Sequence, residues 1–429
     1  MQLTASTDPC PACAGPLTRP NIGQPWCVAC EWNLGVYDPA VIPARGWRWL
    51  SRVDHGLAFR LDRELSDAFA AERPEPGGWT PARAILVGVS ALLVLLILAC
   101  AGLGIELIAV DFPSLTIVPG VLLILLAVAL RPRFTRRPER RLTLRREQAP
   151  MLFALVDRVA AAVGGPAPRV LAVAPEFNAS AARVGLRQVP ALVLGIPLWI
   201  TLGPSLRVAL LAHELAHQVN GDPTRGLLVR PALDTFRELA RSTGAERTAG
   251  EIASPDRPGA NFFVMILELA LWAISRVFLL VYLGLCALAL RDHQRAEYLA
   301  DAKAADAAGS AGMVELLDRL VLLHDTATLI AYNAATRAPA RWRGMAESLC
   351  ASRAGDLPAL RQLTMRETSV WRSHPPSGLR ARVIEAWPAR QPLVELTEEE
   401  SARIDAELAG WYGATHRRML GAEDYRGER

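Results

Sequence analysis

The stretch "VALLAHELAHQVNGDP", residues 208–223, places two histidines four positions apart with a glutamate directly after the first. If this stretch is helical, His213 and His217 project side by side, one turn apart. Glu214 then points about 100° away around the helix axis. Two neutral imidazoles can hold a zinc ion with one position open for water, and a nearby carboxylate can take the proton of that water. The stretch therefore predicts half of a zinc site with Glu214 as the base.

The flanking residues support a helix. Pro204 suits its first turn, and Asn220-Gly221 followed by Pro223 is typical of a helix end. The alternative is an apolar helix whose histidines only form hydrogen bonds. Two histidines and a glutamate inside an apolar helix are costly unless a partner satisfies them, which favours the metal.

A third ligand is needed, and Pro223 stands where some enzymes of this kind place another histidine. The best candidate segment is "RDHQRAEYLADAKAADAAG", residues 291–309, which is alanine-rich and predicted to be helical. Glu297 and Asp301 lie four apart on one face, so Glu297 can reach the ion while Asp301 accepts the N–H of a ligand histidine. His293, one turn earlier on that face, is the alternative ligand.

These motifs, together with "SHPPSGLRARV" (373–383), resemble the integral-membrane zinc metallopeptidases that include the heat-shock protease HtpX and the CAAX-prenyl endopeptidases. "EFNASA" (176–181) looks like the family's segment before its edge strand. The similarity covers roughly residues 140–390. It implies a mainly α fold with a small β-sheet, a zincin-like (gluzincin) domain anchored in a membrane.

The resemblance also implies roles for individual residues. The zinc ligands would be His213, His217 and Glu297. The general base would be Glu214, and the residues supporting the ligands would be Asp301, Asn220 and Asp222. His374, in "HPP", is expected to contribute to catalysis, with a purely structural turn as the alternative.

The expected reaction is hydrolysis of peptide bonds in membrane-associated or misfolded proteins, so the expected partners are protein or peptide substrates. Two short β-type runs, at 169–174 and 190–200, are separated by a polar segment and predict a small sheet. The substrate backbone is expected to add to an edge strand near residues 192–196. His374, Arg380 or Arg382 is expected to stabilise the oxyanion.

The first 35 residues contain two Cys-x-x-Cys pairs, formed by Cys10, Cys13, Cys27 and Cys30. Four thiolates at this spacing predict a structural zinc ribbon over residues 1–35. A redox dithiol is the alternative, but it needs a βαβ context that is not indicated here. A closed site of four thiolates does no catalysis, so the ribbon is expected to be structural or to dock a protein partner.

Two apolar segments, residues 82–110 and 115–130, predict a transmembrane helical hairpin over residues 83–130, in which Pro119 is expected to produce a kink. Eight arginines crowd residues 131–146, while the turn between the segments has none. The positive-inside rule therefore places the N-terminus and everything after the hairpin in the cytoplasm of a multi-pass cell-membrane protein. The arginine run is expected to meet the lipid bilayer and not nucleic acid, because it is juxtamembrane and has little aromatic interleaving.

Residues 260–290 form another apolar segment, inside the predicted peptidase domain of residues 131–390. A single crossing there would separate Glu297 from the histidines, and two crossings need more residues than the segment contains. Glu268 and Arg276 would also be expensive in lipid. A long helix or re-entrant pair at the cytoplasmic membrane boundary is therefore expected, with four spans as the alternative.

The remaining segments are a linker at 36–82 and a helical tail at 391–429, where Thr397 and Glu400 predict a capping box. The tail is expected to pack on the catalytic domain. An active enzyme should hold two zinc ions, one catalytic and one in the ribbon. The alternative function is an inactive membrane-tethered scaffold, which needs only the ribbon zinc.

Overall fold

The computed structural model is mainly helical with two small sheets, so the expected fold class is confirmed. It describes residues 3–41, 48–75, 80–110, 113–131, 137–185, 187–219, 232–240, 243, 262–370, 372 and 374–421. Asn220 and Asp222, predicted to support the site, lie outside the described residues.

The N-terminal sheet is an antiparallel ribbon of three strands, β1 (Leu3–Pro9), β2 (Pro16–Pro20) and β3 (Trp26–Cys27). The turns after β1 and β3 bring the four cysteines together. Trp26 is fully buried, although the ribbon itself is too small to enclose an indole. Its cover comes from the helical part of the chain, through residues such as Leu360 and Leu363.

The predicted linker at 36–82 is wrong for most of its length, because it contains the 24-residue helix α1 (Arg48–Ala71). Its buried stripe keeps helical spacing and includes the polar residues Ser51, His55, Asp62 and Ser66. The segment is nevertheless amphipathic at helical spacing, so its sequence does carry a signal for this helix.

The apolar hairpin consists of α2 (Pro81–Ala109) and α3 (Ile117–Leu130). The two helices approach closely at Gly104 and Gly120, since a Cβ on Gly104 would lie 2.8 Å from the Gly120 carbonyl oxygen. Pro119 lies in the first turn of α3, where its missing N–H is not needed, so it does not kink the helix.

The second sheet has the order β4-β5-β7-β6. Its strands are β4 (Thr143–Leu144), β5 (Val170–Ala174), β6 (Ala179–Val184) and β7 (Val189–Gly195). The expected edge strand near residues 192–196 is wrong, because β7 lies between β5 and β6. The outer strands of the described sheet are β4 and β6, and β6 lies in the polar segment between the two predicted β-type runs.

Three helices pack on this sheet: α4 (Pro150–Val163), α5 (Ile196–Thr201) and α6 (Pro204–Val219). The predicted strand at 190–200 ends at Gly195, because Pro197 cannot donate to a ladder and instead suits the first turn of α5. The core between sheet and helices contains Leu192, Trp199 and Leu211, all fully buried.

Residues 232–240 form helix α7. The next helix, α8 (Phe262–Ala308), is continuous over 47 residues. Its first half is apolar and largely exposed, and its second half is buried beside α6. Of the two expected forms, the long helix is therefore the one that the structure contains.

The remaining helices close the domain around α8 and α6. They are α9 (Ser310–Val321), α10 (Leu323–Asn333), α11 (Trp342–Arg353), α12 (Leu357–Arg366), α13 (Ser377–Ala386), α14 (Glu398–Glu407) and α15 (Ala409–Met419). The capping box of Thr397 and Glu400 is confirmed. The tail packs on the domain, because the Glu407 carboxylate accepts the N–H groups of Met151 and Leu152 at the start of α4.

Candidate metal centre and active site

Helices α6 and α8 bring two histidines and one carboxylate to a common point. His213 Nε2 lies 3.3 Å from His217 Nε2 and 3.6 Å from Glu297 Oε2. His217 Nε2 lies 3.5 Å from Glu297 Oε1. A tetrahedral ion about 2.05 Å from each ligand atom separates those atoms by about 3.3 Å. Glu297 faces each of the two imidazoles with a different carboxylate oxygen, and the described group whose ligand atoms could hold one ion is His213, Glu297 and His374, with His217 beside it.

Behind His213 lies an ion pair between Asp301 and Arg380. The Asp301 Oδ1 accepts from His213 Nδ1 at 2.9 Å, which leaves Nε2 of His213 pointing toward the ligand cluster. Arg380 donates to both Asp301 oxygens, at 2.6 and 2.8 Å. All three side chains are buried. Arg380 is thus held by Asp301 behind the site and is not presented to a substrate.

The charges of this cluster favour a bound cation. Burial opposes ionisation of Glu297, yet His374, His217 and Arg380 hold the pKa of its carboxyl well below the usual value. Burial also opposes ionisation of Asp301, but Arg380 and His213 lower its pKa to about 2. Two buried carboxylates face one buried guanidinium, and buried charges are normally paired or coordinate metals.

Burial and the charge of Arg380 lower the pKa of His213. The neutral imidazole is the form that binds a metal. The electrostatics of the pocket and the geometry of its ligand atoms therefore point to the same occupant.

Glu214 lies between α6 and the outer strand β6. Its Oε2 accepts the N–H of Ala181 at 2.9 Å, and the side chain is buried. One turn later Gln218 donates to the Ala182 carbonyl at 3.1 Å. The Glu214 carboxylate thus lies on the same helix as His213 and His217 and contacts the outer strand β6.

His374 lies on the open side of the cluster. Its Nδ1 is 2.6 Å from Glu297 Oε2, and 46% of its side chain is exposed. The alternative ligand His293 is exposed on α8 and is not part of this group. Arg382 bonds to Ser66 and Asp67 of α1, so it is not at the cluster. The role of Arg380 behind His213 is the feature that the sequence did not reveal.

The four ribbon cysteines also converge, with all four sulfurs within 4.8 Å of one another. Cys10 Sγ lies 3.6 Å from Cys30 Sγ, and Cys13 Sγ lies 3.5 Å from Cys27 Sγ. Zinc bound to four thiolates at about 2.3 Å separates the sulfurs by about 3.8 Å. The backbone N–H of Cys30 helps lower the pKa of Cys27 to about 7. This cluster fits a structural zinc ribbon.

One face of the ribbon is covered by α12. The Trp26 indole N–H donates to Gln362 Oε1 at 2.9 Å, and Gln362 Nε2 donates to the Val28 carbonyl at 2.9 Å. Arg366 donates to the Gln24 carbonyl at 2.6 Å. The ribbon therefore docks on the catalytic domain itself, next to the segment that leads to His374.

The same segment is held from its other side by α1. The Asp54 carboxylate accepts the N–H of Val370 at 2.9 Å, and Asp62 bonds to the hydroxyl of Thr368. Ribbon and α1 thus fix the approach to the His374 turn.

Two described helices, α2 and α8, are long and apolar enough to cross a membrane by length and composition. They run antiparallel: Thr80 donates to Asp292 at 3.1 Å and Arg83 pairs with Asp292 at 3.3 Å, while Leu86 packs near Leu285. From this shared level each helix extends for about 45 Å at 1.5 Å per residue.

Two imidazoles and one carboxylate from separate helices, next to a small sheet, define the class of zincin-like metallopeptidases. This domain is continuous with the apolar helices α2 and α3. The chain belongs to Peptidase family M48, whose family model matches residues 146–388, more than half of its length. The resemblance to HtpX-type metallopeptidases that the motifs indicated is thereby confirmed.

Three similar proteins are each named Protease HtpX. The protein from Stenotrophomonas maltophilia (strain R551-3) is 31% identical over 181 residues, 42% of this chain and 60% of the relative. The Xanthomonas euvesicatoria pv. vesicatoria protein is 34% identical over 183 residues, 42% and 59% of the two chains. The Pseudomonas aeruginosa (strain LESB58) protein is 28% identical over 173 residues, 39% and 56%. This chain thus matches no more than 60% of the length of these relatives. No solved structure matches it significantly.

Proposed function

We propose that the protein is a membrane-bound, zinc-dependent endopeptidase that cleaves membrane-associated or misfolded proteins. The observation that carries this proposal is the convergence of His213, His217 and Glu297 from two helices, with ligand atoms 3.3–3.6 Å apart. Membership of a peptidase family and the names of the relatives support it.

Zinc held by these three residues would polarise the scissile carbonyl and acidify a water molecule. Glu214 takes the proton from the attacking water and passes it to the leaving amine. Asp301 keeps the proton of His213 on Nδ1, and Arg380 keeps Asp301 ionised.

The substrate backbone pairs with the outer edge of β6. The Asn178 carbonyl accepts the N–H of Gly195 in β7, so alternation directs the backbone groups of residues 179, 181 and 183 away from β7. Ala181 is therefore a position at which an added strand would pair, and its N–H donates to the Glu214 carboxylate. An added strand there would pass beside the base.

His374 has two tasks in this mechanism. It donates to Glu297, which orients that ligand, and its exposed ring lies where it can donate to the developing oxyanion. Removing one such donor costs about a hundredfold in kcat. His374→Ala should therefore lower kcat strongly while the protein still binds zinc.

We further propose that α2, α3 and the apolar half of α8 lie in the membrane, with both zinc sites in the cytoplasm. This placement requires an even number of crossings between the histidines of α6 and Glu297 of α8, so that both halves of the metal site lie in one compartment. Reporter fusions placed after Met419 and within residues 111–116 should report opposite compartments.

The test uses the full chain, purified in detergent and loaded with zinc. Wild type should cleave casein, and Glu214→Gln should bind zinc equally well but cleave at least about a hundredfold more slowly. Glu399→Gln, at an exposed glutamate of the tail, is the matched control and should retain full activity. Cleavage by Glu214→Gln at the wild-type rate would refute the assignment of the base.

Metal analysis distinguishes the enzyme from the inactive scaffold. The enzyme should contain two zinc ions per chain, and chelation of one should abolish cleavage. A scaffold would hold only the ion bound by the ribbon cysteines, and a protein with one zinc and no cleavage would favour it.

A further inference from the structure

A cavity of about 460 Å³ at one end of the second sheet is lined by four arginines. They are Arg137, Arg169, Arg183 and Arg187. Within the described chain none of the four forms an ion pair with a carboxylate. Other arginines of the domain are paired, as Arg361 is with Asp318 and Glu385. Four unpaired guanidinium groups around one cavity repel one another unless an anion joins them.

The sheet itself brings these arginines together. Val184 pairs with Val189 across the β6–β7 turn, and Arg169 donates its backbone N–H to the Pro190 carbonyl at 2.9 Å. Arg183 Nη1 lies 3.4 Å from the Gln188 carbonyl, while its Nε is buried with no hydrogen-bond partner. The cavity therefore contains a buried donor that the protein does not satisfy.

Arg137 reaches the cavity from the apolar hairpin, seven residues after the end of α3 at Leu130. It lies over Gly185, where an added Cβ would be 3.1 Å from Arg137 Nε. Gly185 has a φ of +69°, which glycine adopts without strain. The turn thus leaves room for a guanidinium supplied by the segment nearest the membrane.

The course of α6 places the cavity on the membrane-facing side. His213 contacts Asp301 and His217 contacts Glu297, so α6 and α8 run antiparallel and the C-terminal end of α6 points toward Asp292. Asp292 marks the base of the apolar helices. At that end of α6, Gly165 packs against Val219, and Pro166, the next residue, lines the cavity.

We infer that this cavity binds the phosphate of an anionic lipid headgroup. Guanidinium forks match phosphate oxygens in geometry and charge, and several of them suit a phosphate better than a single carboxylate side chain. Free phosphate shares this chemistry, but the position beside the hairpin favours the headgroup layer, where anionic lipids are concentrated. The inference rests on the proposed membrane placement and not on peptidase activity.

The experiment measures binding calorimetrically on the full zinc-loaded chain in neutral detergent, without a peptide substrate. The probes are dihexanoyl phosphatidylglycerol, dihexanoyl phosphatidylcholine, inorganic phosphate and a triglutamate peptide. The cavity variant removes three exposed arginines and leaves the half-buried Arg183 in place: Arg137→Gln, Arg169→Gln, Arg187→Gln. The control has the same net charge and changes exposed arginines outside both the cavity and the run at 131–146: Arg52→Gln, Arg337→Gln, Arg341→Gln.

Wild type and control should bind phosphatidylglycerol equally, within about twofold, and the cavity variant at least about tenfold more weakly, a loss of about 1.4 kcal/mol. Phosphatidylcholine should bind at least tenfold more weakly than phosphatidylglycerol. Equal affinities of cavity and control variants would overturn the inference. So would phosphate binding as tight as that of the lipid, which would indicate a soluble anion, or binding of only the acidic peptide, which would indicate a substrate subsite.

Casein cleavage and membrane fractionation are measured separately on the same preparations. A wild-type preparation that cleaves casein but does not bind the lipid would contradict the cavity inference alone. A wild-type preparation that binds the lipid but does not cleave casein would contradict the peptidase proposal alone. Recovery of the wild-type chain in the soluble fraction would overturn the membrane placement and this inference together, whatever the cleavage result.

Discussion

Replacing Asp301 with asparagine tests whether one buried carboxylate organises the catalytic site. Its oxygens accept from His213 Nδ1 at 2.9 Å and from Arg380 at 2.6 and 2.8 Å. Asparagine has the same shape, but its NH₂ group must then face a donor, either the imidazole N–H or the guanidinium. The substitution therefore changes hydrogen bonding and charge while leaving packing almost unchanged.

Two effects of Asp301→Asn can be estimated. Removing one partner of a buried ion pair costs about 3–5 kcal/mol, because Arg380 is left charged and uncompensated. Losing the carboxylate behind a zinc-ligating histidine lowers metal affinity by about 10–100-fold, or about 1.4–2.8 kcal/mol. We therefore expect a clear loss of both thermal stability and zinc affinity.

The assay combines thermal unfolding in detergent with zinc competition against a fluorescent chelator. Asp306→Asn is the matched control, since Asp306 lies on the same helix, is 42% exposed and pairs with Arg73. A pair this exposed contributes about 0–1 kcal/mol, so the control should unfold and bind zinc almost as wild type does. If Asp301→Asn behaves like that control in both measurements, the proposed support of His213 is wrong.

Three further substitutions test other parts of the structure. Trp26→Ala should destabilise the protein by about 3–5 kcal/mol by emptying the ribbon interface, whereas exposed Trp49→Ala should not; equal melting temperatures would contradict the docking. Glu407→Gln should cost about 1 kcal/mol in urea unfolding through the weakened cap on α4, whereas Glu399→Gln should be neutral, and equal midpoints would contradict the cap. Burial raises the pKa of Asp62 from 3.8 to about 6, so the free energy of unfolding should fall as pH rises from about 4 to about 6. Asp62→Asn should make this pH dependence weaker. An unchanged pH dependence in the variant would contradict the role of Asp62.

Helix α6 and its pair of histidines could be predicted because the motif is local in sequence. Histidines four apart must share a face of a helix, and Glu297 with Asp301 repeats that spacing on a second helix. The sequence does not show in the same way which residues of different helices contact each other. Arg380 and Arg382 stand two residues apart in one motif, so they lie on nearly opposite faces of α13, and only the packed domain shows which one reaches Asp301.

The two missed elements have different causes. Helix α1 is amphipathic at helical spacing, but its buried residues include Ser51, His55 and Asp62, whose partners lie far away in sequence, such as Thr368 for Asp62. Strand β6 has few large apolar residues because an outer strand needs few of them, and it pairs with β7, its neighbour in sequence.

The continuity of α8 connects the proposed membrane anchor to the proposed metal site. Asp292, which bonds to the base of α2, and Glu297, which faces the histidines, are five residues apart on one uninterrupted helix, an axial distance of about 7.5 Å. A helix has no hinge between these positions, so the metal ligand is held at a fixed height above the apolar segments. With the proposed membrane placement, a peptide bond that reaches this site lies close to the bilayer surface. We therefore propose that the site acts on substrates attached to, or emerging from, the membrane.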